Sequence, residues 1–139
     1  MYLFLDIDGV LNQLQPWYID TSCVECLKIL VNKLSAKIVL TSSWRLGFTH
    51  NINYCSPQIQ KLIKVFNDFS IEIYSKTPSV NENNRSLEIY SFLESHKNDD
   101  YLILDDDKTL FSNSENLYIV NYRTGLTKKD VKKILKLYS

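Results

Sequence analysis

Apolar runs of four residues recur along the chain, and most are followed at once by polar or charged positions. Tyr2-Leu3-Phe4-Leu5 leads into Asp6-Ile7-Asp8-Gly9, Lys37-Ile38-Val39-Leu40 into Thr41-Ser42-Ser43, and Tyr101-Leu102-Ile103-Leu104 into Asp105-Asp106-Asp107. Ile71-Glu72-Ile73-Tyr74 alternates in the manner of a strand, and Leu117-Tyr118-Ile119-Val120 reads as a fifth. Helical periodicity fills the gaps. Ser22 with Glu25 predicts a capping box, after which Leu27, Leu30, Val31 and Leu34 recur on one face. Residues 44–56 show no period and predict a loop, ended by Ser56 as N-cap and Pro57 at the first helical position. Ile59, Leu62, Ile63 and Phe66 form the apolar face of a second helix. After a polar loop from Thr77 to Asn84, a helix from about Arg85 to Ser95 buries Ile89, Phe92 and Leu93. Residues 107–116 predict a short segment with one helical turn. Thr127 and Asp130 box the start of a last helix, with Val131, Ile134, Leu135 and Tyr138 on its inner face.

Strand and helix in repeated alternation predict an α/β fold, a parallel sheet with helices on both faces. The polar strand ends then lie along one rim, at the carboxyl ends of the strands, where open α/β sheets bind ligands. Length and composition fit one domain, 1–139, with its own core: 45% of residues are hydrophobic and 23% charged. Zero net charge gives no overall pull toward nucleic acid or membrane. No stretch approaches the ~20 apolar residues of a membrane span, and the first residues lack a secretory pattern, so a cytoplasmic, monomeric protein is expected. Three cysteines argue against a disulfide framework, and Cys23-Val24-Glu25-Cys26 has no partner pair to complete a zinc site, so buried thiols are expected. The outer face of the last helix carries Lys128, Lys129, Lys132, Lys133 and Lys136, a solvated face or a hold on an acidic substrate.

Chemistry concentrates at the first strand end. Alternation along a strand puts Asp6 and Asp8 on the same side, and two such carboxylates repel unless a cation is shared between them. Hard carboxylate oxygens suit Mg²⁺. Gly9 permits a sharp turn and close approach of a ligand. Taken alone, four residues of this kind describe an ordinary strand-to-turn junction equally well.

The order of the strand ends adds specificity. Phe4-Leu5-Asp6-Ile7-Asp8-Gly9-Val10 resembles the first motif of the haloacid dehalogenase (HAD) superfamily of phosphohydrolases. Thr41 or Ser42 is similar to its second motif, Arg85 to its third, and Asp105-Asp106 to its fourth. The phrases Thr41-Ser42-Ser43-Trp44-Arg45, Arg85-Ser86-Leu87-Glu88-Ile89 and Gly125-Leu126-Thr127 also resemble the HAD domain of Swiss Army knife RNA-repair proteins. The resemblance spans about residues 2 to 126. It implies a Rossmann-like three-layer α/β/α core with strand order 5-4-1-2-3. Few residues are left over for a cap.

It also implies roles. Asp6 is the nucleophile of a Mg²⁺-dependent phosphohydrolase that passes through an aspartyl-phosphate, and Asp8 the general acid and base. Thr41, or Ser42 in its place, offers a hydroxyl to the phosphate. Arg85, with Lys76 as the alternative, neutralises charge there. The metal is held by Asp6, the Asp8 backbone carbonyl and Asp106, with Asp105 orienting a bound water and Asp107 able to replace either. Arg45 is a candidate for a second substrate phosphate or a surface residue, and Trp44 a packing residue or a stacking platform for a base. An open site admits bulky phosphoesters, so a nucleotide or polynucleotide end is the expected partner. A different class remains open beside this one, a non-catalytic phosphate-binding or receiver-like signalling module. Receivers, however, carry their phospho-acceptor on a middle strand rather than as Asp-x-Asp on the first.

Overall fold

The computed structural model describes residues 1–139 apart from 16–17, 81–83, 97–99, 112–114 and 139. Parts of the expected loops at 77–84 and 107–116 therefore lie outside the described residues. Five strands, β1 (Tyr2–Leu5), β2 (Lys37–Leu40), β3 (Ile73–Lys76), β4 (Tyr101–Asp105) and β5 (Leu117–Ile119), form one sheet in the order 3-2-1-4-5. All four pairings are parallel. This is the expected α/β sheet, read from its opposite edge. The helices are α1 (Thr21–Leu34), α2 (Pro57–Asp68), α3 (Arg85–Ser95) and α4 (Lys128–Leu137).

Strand alternation divides the core in two. Leu3, Leu5, Ile38, Leu40, Leu102 and Leu104 bury one sheet face against α1, α2 and α4. Tyr2, Phe4, Val39 and Ile103 bury the other against Ile89 and Phe92 of α3. The side of each crossover helix follows from handedness. From β1 the chain steps outward through β2 to β3, laying α1 and α2 on one face. It then returns past β1 to β4, which places α3 on the opposite face. The reversal leaves a crevice beside the end of β1, between strands whose connections depart in opposite directions.

Local signals decide where elements begin. Ser56 caps α2 with Pro57 behind it, and Thr127 and Asp130 form the reciprocal box that opens α4. At α1 the cap is Asp20, whose carboxylate accepts from the Ser22 backbone N–H, so the expected Ser22–Glu25 box does not form. The third strand begins two residues later than its alternation predicts. Ile71 instead closes α2, its N–H donating to the Phe66 carbonyl while Ser70 turns left-handed. The stretch read as loop contains two short 3-10 turns, Ser43–Gly47 and Ile52–Tyr54. All three cysteines are free and buried, and burial pushes the Cys23 thiol up to about 11, which makes it a packing group rather than a nucleophile. Among the described residues no helix is long and apolar enough to cross a membrane.

Candidate active site

Register brings the first site residues together. Leu5 pairs with Leu40 on one side and Leu104 on the other, so the next residue of each strand, Asp6, Thr41 and Asp105, stands on the same rung. Backbone bonds extend the ladder to that rung: Asp6 N–H donates to the Leu104 carbonyl and Thr41 N–H to that of Leu5, each at 3.0 Å. The apolar strands thus act as spacers of equal length that deliver three polar side chains to one edge.

Asp6 and Asp105 are both buried, at 4% and 0% exposure. Burial raises the Asp6 carboxyl well above the usual carboxylate range, and the neighbouring Asp105 charge adds to this while Arg85 opposes it. Asp105 is raised by burial too, again against the pull of Arg85. Arg85 is the first residue of α3, and Asn84 caps that helix with its side chain on the Leu87 N–H. Its Nη1 lies 3.1 Å from Asp6 Oδ1 and donates to Asp105 Oδ2. Burial works against the guanidinium charge, but the two carboxylates outweigh it and hold it protonated.

Asp106 completes the cluster: carboxylate oxygens of Asp6, Asp105 and Asp106 all lie within 4.8 Å of one another. Gly9 makes room for it. The glycine has φ +83°, and a Cβ there would run into the Asp106 carboxylate. Asp105 has both oxygens engaged, Oδ2 by Arg85 and Oδ1 by the Asp107 N–H at 3.0 Å. Asp107 turns away, capping the 3-10 turn Lys108–Leu110. Its hydrogen bonds from Thr109 lower its carboxyl pKa. The expectation that Asp107 could stand in for its neighbours is corrected by that cap.

The two hydroxyls separate as well. Ser42 Oγ accepts from the Trp44 N–H and caps the turn Ser43–Gly47. Thr41 Oγ1 is the one buried side-chain oxygen or nitrogen among the described residues without a hydrogen-bond partner. A buried hydroxyl left unpaired is costly, and one on the same rung as two site carboxylates is available to a ligand.

Other expected residues are placed elsewhere. The Asp8 carboxylate is outside the acidic cluster, accepting from Asn12 Nδ2 at 2.9 Å and from the Trp44 indole Nε1 at 3.1 Å. Asp6 and Asp8 are therefore not the bare pair that strand alternation suggested, because β1 has ended at Leu5 before either is reached. Lys76 Nζ donates to the Phe48 carbonyl at 2.8 Å, which leaves Arg85 as the cation on Asp6. Arg45 is corrected outright. It is buried, pairs with Glu88 at 2.7 Å, and gives its other N–H groups to the Thr77, Thr41 and Ser42 carbonyls and to the Ser79 hydroxyl. No part of that guanidinium is left for a second phosphate. Trp44 is likewise buried and is not a platform at the cleft mouth. Sequence reasoning passed over Asn12 and Glu88. The hint of Glu88 was its place in the phrase Arg85-Ser86-Leu87-Glu88-Ile89, one turn after Arg85 on the same helix.

Against this geometry the comparison with known families is decisive. The profile of the HAD domain in Swiss Army Knife RNA repair proteins matches residues 2–131. The chain belongs to this HAD family. No curated protein and no solved structure matches it significantly. Membership makes this HAD domain a hydrolase of the phosphatase type; such domains typically use a metal, and Asp6, Asp105 and Asp106 form an acidic cluster that could hold one. The donor set fits a hard divalent cation: three carboxylates face one guanidinium, and all the donors are oxygens.

Proposed function

We propose that this HAD domain is a Mg²⁺-dependent phosphomonoesterase that works through an aspartyl-phosphate on Asp6. The observation that carries the reading is the shared rung of Asp6, Thr41 and Asp105 with Arg85 against Asp6. A carboxylate is a competent nucleophile toward phosphorus when it is ionised, oriented and close to positive charge. Asp6 and Asp106 would hold the metal with the Asp8 carbonyl, while Asp105, already engaged on both oxygens, fixes Arg85 and the geometry around it. Bound Mg²⁺ supplies the positive charge that keeps Asp6 ionised despite its burial and offsets the charge of the substrate.

In the first step an Asp6 oxygen attacks phosphorus, and the bond from phosphorus to the leaving oxygen breaks. Asp8 gives its proton to that oxygen, releasing an alcohol. In the second step water attacks the phosphorus of the aspartyl-phosphate, and Asp8 takes a proton from the water. The phosphorus–Asp6 bond breaks, releasing inorganic phosphate and restoring both carboxyl groups. The Arg85 guanidinium and the Thr41 hydroxyl, which has no partner among the described residues, donate to the phosphate oxygens in both steps. Proton transfer of this kind contributes about 10²–10⁴ in rate.

The substrate we propose is a phosphorylated nucleotide or polynucleotide end. The support is the family's occurrence in RNA repair proteins, together with a short connection between β2 and β3. There the chain forms only two 3-10 turns and α2, which packs into the core. The test is a panel of phosphoesters, including 5′- and 3′-phosphorylated oligonucleotides, assayed with Mg²⁺ and with chelator. Release of phosphate that needs Mg²⁺, and a phosphoryl adduct on the peptide carrying Asp6 after acid quench, are expected. Full activity in excess chelator, or an adduct elsewhere, overturns the mechanism. Turnover of aryl phosphate but of no oligonucleotide overturns the substrate.

A further inference from the structure

Asp8 must present its carboxyl group to a leaving oxygen, yet it sits in a loop beyond the end of β1 and is only half-buried. What holds it is a two-point grip. Asn12, fully buried, uses every hydrogen-bonding position of its amide. Oδ1 accepts from the backbone N–H groups of Gly9 and Leu14, each at 3.0 Å. Nδ2 donates to Asp8 Oδ1 and to the Tyr18 carbonyl, each at 2.9 Å. The turn it ties together is strained, since Leu14 adopts φ +60°, a conformation that leucine disfavours. The second Asp8 oxygen accepts from the Trp44 indole, which is buried in the turn that follows Thr41.

We propose that Asn12 and Trp44 are positioning residues for Asp8, fixing its carboxylate so that the free lone pairs face the leaving oxygen and then the attacking water. The inference rests on the phosphatase reading above. A carboxylate offers about four lone-pair sites. The grip uses one on each oxygen, from two different rim loops, which stops rotation about both side-chain bonds and still leaves a place for the proton. Holding the proton donor in line removes orientational freedom that the reaction would otherwise have to freeze out. The grip also couples the loop after β1 to the loop after β2. A single arrangement therefore sets the acid–base group relative to Thr41.

A positioning role is separable from mere packing by leaving group. Formation of the aspartyl-phosphate, reported by kcat/KM, needs a proton for an alkyl phosphate and hardly any for an aryl phosphate. Trp44→Phe keeps most of the ring volume and deletes the N–H. It should lower kcat/KM for the alkyl ester about tenfold, as loss of one hydrogen bond to a charged group implies, and change the aryl ester less than twofold. Asn12→Asp keeps the acceptor that ties the turn but sets a second carboxylate against Asp8, and should cost the alkyl ester more than Trp44→Phe does. A readout independent of turnover is the Trp44 indole N–H resonance, which should move in Asp8→Asn relative to the wild type. Equal loss on both esters, or an indole resonance indifferent to Asp8→Asn, overturns the inference. Should Trp44→Phe fail to fold, Asn12→Asp and the indole resonance decide it. A wild-type protein that hydrolyses neither ester overturns the phosphatase reading and this inference with it. That outcome is distinct from an active enzyme whose Trp44→Phe variant shows no leaving-group selectivity.

Discussion

Two arginines of this chain meet buried carboxylates, and they do so in opposite ways. Arg45 faces Glu88 one charge to one, and its remaining N–H groups end on backbone carbonyls and the Ser79 hydroxyl. The same Glu88 oxygen also accepts from the Val80 N–H, at 3.1 Å. Arg85 faces Asp6 and Asp105 at once, with Asp106 beside them and the Thr41 hydroxyl unpartnered on the same rung. The first guanidinium is closed: adding any ligand to it would mean breaking a bond it already makes. Among the described residues, the second carries more negative charge than its one guanidinium answers, and a hydroxyl left without a partner. Buried charge is expensive unless it is paired. A fold that closes one such group and leaves the other short is keeping the second for something that is not part of the chain.

The contrast can be broken from the open side first. Asp6→Asn keeps shape and removes the proposed nucleophile, so turnover should fall by at least ~10³-fold, within the range that removal of a covalent catalyst reaches. The fold should survive, and the pH dependence of stability shows why. The folded-state pKa of Asp6 is raised, so its contribution to stability is fully present below the unfolded pKa and lost as pH rises through the folded value. The metal-free protein should therefore lose stability as pH climbs above ~4, the carboxylate reference value. Asp6→Asn should flatten that decline, measured as denaturation midpoint against pH. A variant that unfolds more readily than wild type at neutral pH without metal would contradict the charge excess.

On the closed side, Arg45→Ala strands Glu88 and three carbonyls in the interior. Losing one partner of a buried pair costs about 3–5 kcal/mol, to be read by chemical denaturation. Mg²⁺ should raise the midpoint of the wild type without closing the gap between the two proteins. A loss below about 1 kcal/mol would place Arg45 among ordinary surface pairs. Asp106→Asn against Asp107→Asn is a sharper test of the cluster's edge. The first should weaken Mg²⁺ binding by about 10–100-fold, and the second should leave it nearly unchanged and cost only a helix cap. A calorimetric titration with the reverse order would move the site one residue along. The smallest expected effect is on stability in Thr41→Val. Replacing an unpartnered buried hydroxyl by a methyl should be neutral or stabilising by up to about 1 kcal/mol, while kcat/KM falls about tenfold or more. A variant that is both less stable and fully active would show that the hydroxyl serves the fold and not a ligand.

The parts of this molecule legible in its sequence are those governed by neighbours along the chain. The apolar runs gave four strands closely. Asn84, Ser56 and Thr127 sit where a helix must start, and α3 begins at Arg85, where its apolar spacing begins. The third strand was displaced because Ile71 is apolar for the sake of the core and not of the sheet, whereas Ser75 and Lys76 pair with β2. Asp20 outcompeted Ser22 as a cap although Ser22 carried the fuller motif. At the site, the Asp-x-Asp-Gly and Asp-Asp motifs located the acidic cluster. Which of three consecutive aspartates turned inward depended on Thr109, two residues beyond. Arg45 was misassigned because its partner Glu88 lies far along the chain, on a helix that meets it only when the sheet has formed. Long-range pairing leaves no local periodicity to read.

One further consequence lies in the sheet order. β1, whose four residues are all buried, is flanked by β2 on one side and by β4 on the other, with Tyr2 set against Tyr101. During synthesis β1, which leads into Asp6, finds β2 as a neighbour long before it finds β4. It cannot gain the other until β4, residues Tyr101–Asp105, has been made. Contacts of such long range form slowly, and an apolar strand waiting for its partner is a sticky one. Every shortened chain that stops before β4 lacks Asp105 and Asp106 and exposes one side of Tyr2-Leu3-Phe4-Leu5. A form of this domain that stops before β4 thus has one of the three carboxylates of the acidic cluster and is the form most in need of a chaperone.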